Sequence, residues 1–434
     1  EFRALGETEF VGYTELETQS RVLGILVDGV SVDRAREGQI AEIILAETTL
    51  YAEGGGQSAD KGLIVGAGFE LEVLDVQKPV PGLFSHMVQV VAGEVGVDAP
   101  ATTVVDASNR RGATQAHSGT HIVHAAIHQV LGKSAHQSGS FNKAGYLRLD
   151  FTWSEALSAE TRGEIEEISN NAIRDNLEVT TRILPIAEAK SLGAMALFGE
   201  KYGDTVRMVD IGGPWSRELC AGTHVSSSAE IGLISVVGEQ SVGASNRRIE
   251  SLVGIEAFRE LAAERAIVST LSSSLKTPRE QLPQRIAELT ANLRAAEKKI
   301  ASFEARALLE RVPALAASAS RAGGVAFVSD ELGALGSPDD LRSLVLGVRD
   351  KLGAEPAVVA LGAIVGERPV VIVATNDGAR GLGAKAGALA KGAAAVLGGG
   401  GGGRDDVAQG GGTDTTKLAE ALASVAQGLE ATRA

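Results

Sequence analysis

The 434-residue chain is 44% hydrophobic and 22% charged, a balance that excludes a disordered segment and, by length, points to roughly two to four domains. Its net charge of −14 argues against a partner held by phosphate attraction alone, because such binding grows with the lysines and arginines that displace counterions. No apolar run of about eighteen residues is available to span a bilayer, the opening EFRALGETEF lacks the basic-then-apolar order of a signal peptide, and a single cysteine makes no internal disulfide, so the chain reads as cytoplasmic. It begins with Glu1 rather than Met, the expectation for a fragment of something longer.

Residues 1–105 form a β-rich portion: FVGY, RVLGILV, QIAEIILAETTLYA and FELEVLDV are rich in β-branched residues and are separated by Gly, Asp and Pro. Within it AEGGGQSADKG, 52–62, is either a tight turn or a loop whose glycines let a ligand approach the backbone. At 106 the period becomes helical, with Asp106 or Ser108 as cap and Gly132 as stop. Two short strands, a helix near 158–176 and further strands complete an α+β domain over 106–254. Residues 255–311 carry apolar positions at heptad spacing. Phe258, Leu261 and Val268 form a weak first arm interrupted by Arg265 and Ser272. After Lys276-Thr277-Pro278, Leu282, Ile286, Leu289, Leu293, Ile300 and Phe303 form a stronger one. A helical hairpin acting as an arm is the expected result. Residues 312–434 alternate strand-like and helix-like runs, a small α/β domain that carries LGGGGGGRDDVAQGGGTD at 397–414, either a flexible linker or a shaped loop.

Five of the seven histidines fall in 117–136. His117 and His121, at i and i+4, share one face of a helix one turn apart, so two ring nitrogens can converge on one ion. Cys220 and His224 repeat the four-residue spacing. A thiolate with three imidazoles is a borderline-soft set suited to zinc. A zinc-protease helix would need a glutamate after the first histidine, where Ser118 stands. Cys220 as a nucleophile, with His224 as its base, leaves the first histidine pair unexplained. Metal ligation accounts for all four residues; His124 and His128 are left as core or supporting positions, and His86 has no partner that the sequence names. Basic patches stand at Arg110–Arg111, Arg247–Arg248 and across Arg380, Lys385, Lys391 and Arg404, each equally an ordinary solvated face.

HSGTH (117–121), HQSGSF (136–141), CAGTH (220–224), RRIE (247–250) and YAEGGGQSAD upstream together resemble the editing domain of alanyl-tRNA synthetases. The heptad arm and LGGGGGGRDDVAQGGG resemble the C-terminal domain of the same family, shared with DHH phosphoesterase relatives, and the resemblance runs over essentially the whole chain. No N-terminal aminoacylation core is recognisable, so the chain resembles the C-terminal half of a synthetase, or less closely a free-standing editing protein, and ATP is not expected.

The resemblance implies hydrolysis of Ser-tRNA(Ala) and Gly-tRNA(Ala), one zinc ion on His117, His121, Cys220 and His224, and Gln137 in the substrate pocket. Cys220 and His224 would then serve the chemistry as well. It further implies that Gly54, Gly55, Gly56 and Gln57 approach the acceptor end and that Arg247 and Arg248 meet phosphates. The C-terminal domain would bind tRNA through Lys385, Lys391, Arg404 and Gln409 and form a homodimer. Asp405 departs from the proline usual beside that glycine loop. The partners implied are tRNA(Ala) and the aminoacylation domain of the same synthetase, with no membrane. The noncatalytic alternative is a zinc-stapled module for tRNA binding and dimerisation.

Overall fold

The computed structural model describes residues 7–196 and 202–432; the outermost positions of the two terminal units expected from sequence, 1–6 and 433–434, lie outside the described residues. The chain is mixed α+β and divides into two compact units, 1–270 and 271–434.

The first unit begins with strands β1 (Glu17–Val27), β2 (Ile40–Leu45), β3 (Gly62–Gly66), β4 (Phe69–Val80), β5 (Leu83–Gly96) and β6 (Pro100–Val105). They hydrogen-bond in the order β1-β2-β5-β4-β3-β6, and β6 pairs back with β1, so the antiparallel sheet closes into a barrel. Closure removes the exposed edges that an open sheet would leave. The two-residue period does the rest: Phe69, Leu71 and Val73 turn inward and are buried, while Glu70 and Glu72 face water.

His86 sits within this core. It is fully buried, its Nε2 2.8 Å from Thr48 Oγ1 and its Nδ1 2.9 Å from Ile43 O, which makes it a satisfied core residue. Burial pushes it down from 6.5 to about 4. The unfolded chain therefore binds a proton in this window that the folded chain refuses, so stability is lost as pH falls from 6.5 toward 4 and the loss stops below. In urea unfolding with metal present throughout, the wild type should lose about 3 kcal/mol more than His86→Gln between pH 7 and pH 4. Equal losses would show that the buried neutral imidazole does not set this dependence.

Helix α1 (Ala107–Leu131) follows, capped by Asp106, whose carboxylate accepts from the backbone N–H of Ser108 and Asn109, and closed by Gly132 at φ +91°. Strands β7 (Gln137–Lys143), β8 (Tyr146–Thr152), β12 (Ile234–Ser241) and β13 (Asn246–Val253) form an antiparallel sheet in the order β7-β8-β13-β12. Ala116, Ile122, Val123 and Ile127 of α1 pack on Leu147, Leu149 and Phe151 of β8, and α2 (Ala159–Arg174) adds Ile165 and Ile173 to the same core. Strands β9 (Val179–Pro185), β10 (Thr205–Ile211) and β11 (Ser216–Leu219) make a second small sheet whose last strand leads into Cys220.

Arg110, expected in an exposed basic patch, is instead 7% exposed on α1. Its Nε donates to both oxygens of the fully buried Asp60, at 3.0 and 2.9 Å, and its other nitrogens reach Gly12 O and Thr49 O. This guanidinium is one of the links between the barrel and the helical part of the unit.

Helices α3 (Ile255–Leu275) and α4 (Leu282–Leu309) occupy the heptad region, α3 crossing the division between the units. Their seam is largely solvated, with Leu293 60% and Phe303 68% exposed, until Leu308 enters the core of the second unit. That unit is a six-stranded mixed sheet covered on both faces. Its edge is a hairpin of β14 (Gly400–Gly403) and β15 (Val407–Gly411) lying on α5 (Ala386–Val396). The glycine tract is thus paired strand: a Cβ at Gly410 would stand 2.6 Å from Ala390 O, and one at Gly412 2.0 Å from Leu397 O. Glycine lets this helix and these strands meet backbone to backbone.

Candidate metal centre and its flanking cavities

Helix α1 presents His117 and His121 one turn apart, with parallel rings 5.4 Å between centroids. The other pair arrives from a loop, 220–224, that is not helical. Cys220 Sγ lies 3.3 Å from His117 Nε2 and 3.3 Å from His224 Nε2, and one ligand atom from each of the four residues falls within 4.8 Å of all the others.

Each imidazole is held from behind. His117 Nδ1 meets Gln57 Oε1 at 2.8 Å, His224 Nδ1 meets Ser118 Oγ at 3.1 Å, and His121 Nδ1 lies 2.8 Å from Glu218 Oε2. Partners at Nδ1 fix ring orientation and leave Nε2 for an ion, the arrangement that metal-binding histidines require. His121 Nε2 is buried and has no hydrogen-bond partner among the described residues. A thiol, three convergent imidazoles and an orphaned buried nitrogen fit one metal ion.

The electrostatics agree. Burial would raise the Cys220 thiol, but the imidazoles of His117 and His224 outweigh it and hold the thiol well below its usual range, toward the thiolate that ligation needs. Burial drives His224 down to about 3 despite Cys220, so it is neutral and free to ligate. At His121 burial is overcome by Glu218 and Cys220, which raise it to about 10; metal entry must therefore displace a proton there. Glu218 is itself held well below the usual carboxylate range, its burial outweighed by His121 and His124.

Every position of the two motifs has a physical task. Ser118 orients His224 and also accepts from Val225 N at 3.1 Å. Gly119 packs where a Cβ would sit 3.2 Å from Leu147 Cδ2, and Thr120 bonds Ala116 O and Asn142. In the second motif the Ala221 carbonyl accepts from Tyr13 Oη at 2.6 Å. Thr223 N donates to Gln57 Oε1 at 2.9 Å. Gly222 has no substitute, because a Cβ there would stand 2.1 Å from His117 Cε1. Arg207 clasps the loop by donating to Cys220 O and Gly222 O, both at 2.9 Å, with its guanidinium 4.4 Å from the Tyr13 ring centroid.

The ligand cluster forms one wall of a cavity of 270 Å³ whose other walls include Gly55, Thr120, Gln137 and Arg207. Gln137 is buried, its Nε2 3.2 Å from Ser140 Oγ. The glycine loop packs against the same strand: Gly56, at φ +78°, would place a Cβ 2.3 Å from Ser140 Oγ. Gly54 is half-buried and Gly55 exposed at the cavity wall, but Gln57, expected at an acceptor end, is fully buried behind His117. Its side chain supports a ligand and is closed to a nucleic acid.

Arg247 pairs with Glu239, and Arg248 forks onto Asp150 at 2.7 and 2.8 Å, so both expected phosphate contacts are already neutralised within the sheet. In the second unit Lys385 lies 3.5 Å from Asp405 and Arg404 3.1 Å from Asp406, while Gln409 Oε1 accepts from Arg342 at 3.1 Å. Lys391 is exposed and has no ion pair among the described residues. Sequence reasoning missed Glu218, Arg207, Ser118 and Tyr13. Only Glu218 left a signal, since strand alternation puts position 218 on the same side as 220.

Sequence comparison relates the chain to known proteins. The family model described as "tRNA synthetases class II (A)" matches residues 2–109, across the barrel. That of the "Threonyl and Alanyl tRNA synthetase second additional domain" matches 206–250, which holds Glu218, Cys220 and His224. The "DHHA1 domain" model matches 325–431. The "Alanine--tRNA ligase" of Leifsonia xyli subsp. xyli is 69% identical over 98% of this chain, which covers 48% of that protein. The "Alanine--tRNA ligase" of Arthrobacter sp. is 54% identical over 99% of this chain and 48% of its own length. A solved C-Ala domain from Aquifex aeolicus alanyl-tRNA synthetase shares 25% identity with 26% of this chain, covering 98% of that domain at a TM-score of 0.24. The chain spans about half the length of the curated relatives it matches, and it belongs to the alanyl-tRNA synthetase family.

Proposed function

We propose that this chain edits tRNA(Ala): it hydrolyses the ester of tRNA(Ala) carrying serine or glycine and spares alanine, as part of a synthetase whose aminoacylation domain works beside it in the cytoplasm. The observation that carries the reading is the convergence of His117, His121, Cys220 and His224 on the wall of a cavity that Gln137 also lines. Zinc is the ion that this donor set suits, and when bound it supplies a Lewis acid that polarises an ester carbonyl or lowers the pKa of a water.

The need for such a site follows from size. A synthetic pocket made for alanine cannot exclude glycine, and rejects one added hydroxyl only about a hundredfold. For serine, Gln137 supplies the missing discrimination. Its buried amide, one N–H of which already meets Ser140 Oγ, keeps a further donor and its oxygen for the serine hydroxyl, and alanine leaves those without that partner at a cost of about 1–3 kcal/mol. Arg207 and Tyr13 hold the 220–222 carbonyls so that the ligand loop keeps its place as substrate enters.

One observation favours a second reading. Four protein donors complete a tetrahedral site, the structural rather than the catalytic complement, so the ion would only staple a tRNA-binding module. Serine release from Ser-tRNA(Ala), measured beside Ala-tRNA(Ala), decides between them. Rapid release that spares alanine is expected. A metal-replete protein that binds tRNA but releases no serine would establish the staple.

The second unit, on this reading, binds tRNA away from the acceptor end and joins two copies of the chain. Arg404, whose side chain is 80% exposed, is its test. Arg404→Ala should weaken tRNA binding and reduce the salt dependence by about one counterion in a titration at several salt concentrations. An unchanged slope would remove Arg404 from the contact, leaving Lys391 as the stronger candidate.

A further inference from the structure

The glycine turn at 54–57, which its sequence suggested for the acceptor end, delivers one side chain between the two ligand motifs. We propose that Gln57 is a positioning residue of the metal centre: from a loop of the barrel, its side-chain oxygen fixes the proton of His117 and the backbone of the 220–224 loop together, so that a divalent metal ion meets ligands already in place. The proposal rests on the metal reading of the cluster and adds to it a residue outside the four donors.

The hydrogen bonds on that oxygen decide its role. Gln57 Oε1 lies 2.9 Å from Thr223 N, 2.8 Å from His117 Nδ1 and 3.2 Å from Thr223 Oγ1. A backbone N–H only donates, so the side-chain atom facing Thr223 N is the oxygen and not the amide nitrogen. His117 Nδ1 meets the same oxygen and therefore carries the proton, which leaves the Nε2 lone pair directed at the cluster, 3.3 Å from Cys220 Sγ. The amide nitrogen is used as well: it donates to Thr223 Oγ1 at 2.9 Å, and that hydroxyl lies 2.9 Å from Thr114 Oγ1 on α1. One amide thus spans the helix that carries His117 and His121 and the loop that carries Cys220 and His224.

The turn is built to hold that amide still. Gly54 and Gln57 exchange backbone hydrogen bonds at 3.1 and 3.0 Å. The residues on either side of Gln57 are tied to β7, where Asn142 N donates to Gly56 O at 2.6 Å and Ser58 N donates to Asn142 O at 2.9 Å. Gly55 and Gly56 take φ of +57° and +78°, the left-handed region that glycine enters at little cost. Gly222 completes the fit, since a Cβ there would stand 3.0 Å from Gln57 Oε1. Gln57 is fully buried, so its loss leaves the N–H groups of His117 and Thr223 without an acceptor. Glu218 and Ser118 support His121 and His224 from within two residues of a ligand; Gln57 supports His117 from 60 positions away.

Metal titration of Gln57→Met tests this, with cobalt(II) as the probe because its visible absorption reports the ligand field. The substitution keeps the length of the side chain and removes both polar atoms. Cobalt affinity should fall about 10–100-fold with an altered visible spectrum, while circular dichroism of the metal-free protein stays that of the wild type. Gln57→Glu, which keeps an oxygen for His117 and Thr223, should restore most of the affinity, with a shifted spectrum because a carboxylate behind the imidazole raises its basicity. Thr103→Val removes an equally buried polar group of the barrel that touches no ligand, and should leave affinity and spectrum unchanged. An unchanged affinity in Gln57→Met, a Gln57→Glu variant as weak as Gln57→Met, or an equal loss in Thr103→Val would each overturn the proposal. If Gln57→Met does not fold, Gln57→Glu decides: retained affinity with a shifted spectrum upholds the proposal and an unshifted spectrum rejects it. Absence of cobalt and zinc binding by the wild type would remove the metal reading itself, and the proposal with it.

Discussion

Cys220→Ala, with its fold verified, should lose its metal and with it the release of serine from Ser-tRNA(Ala). Altering a residue that merely supports a ligand costs about 10–100-fold in metal affinity, so removing the ligand should cost more than about 100-fold. Cys220 is also the acceptor toward which His117 and His224 turn at 3.3 Å, and without it the buried imidazoles of His117 and His121 and the half-buried one of His224 face one another with no anion between them. The measurement is metal content and serine release in parallel, with Ala-tRNA(Ala) as the reference substrate. A variant that keeps its metal but releases no serine would assign Cys220 to the chemistry alone. One that loses the metal and still releases serine would show that hydrolysis does not depend on the ion.

Arg110→Ala should destabilise the first unit by about 3–5 kcal/mol, the usual result of removing one partner of a buried ion pair. The loss is large because Asp60 is fully buried and is left with a charge that Arg110 alone had matched by side chain, and because Gly12 O and Thr49 O lose their donor as well. Urea unfolding of the metal-loaded protein measures it. A change below about 1 kcal/mol, typical of exposed pairs, would mean that water reaches Asp60 readily and that the barrel and α1 are not fastened there.

Much of the local structure was legible in the sequence because it follows from local rules. Asp106 and Gly132 bracket α1 since a carboxylate cap and a left-handed glycine satisfy helix ends wherever they occur. The pairing of His117 with His121 was equally legible, being a property of 3.6 residues per turn. Cys220 and His224 were identified by the same spacing although they lie in a loop. There the match rests on Arg207, Tyr13 and the missing side chain of Gly222, none of which a helical period describes.

The basic patches show the limit most plainly. A run of arginines in a sequence carries no record of the acids it will meet, and Asp60, Glu239 and Asp150 lie 50, 8 and 98 positions from their partners. Gln57 is the same case, a polar residue in a glycine loop that folding turns inward onto His117 across 60 positions. By itself the sequence determined which residues can ligate, where helices start and stop, and where backbone must be bare enough for close approach, because these depend on side-chain chemistry and near neighbours. Only the tertiary structure decided that the two ligand pairs meet, that the first sheet closes on itself, and that Glu218 stands behind His121 and His124, because each depends on strand order and on contacts between distant segments.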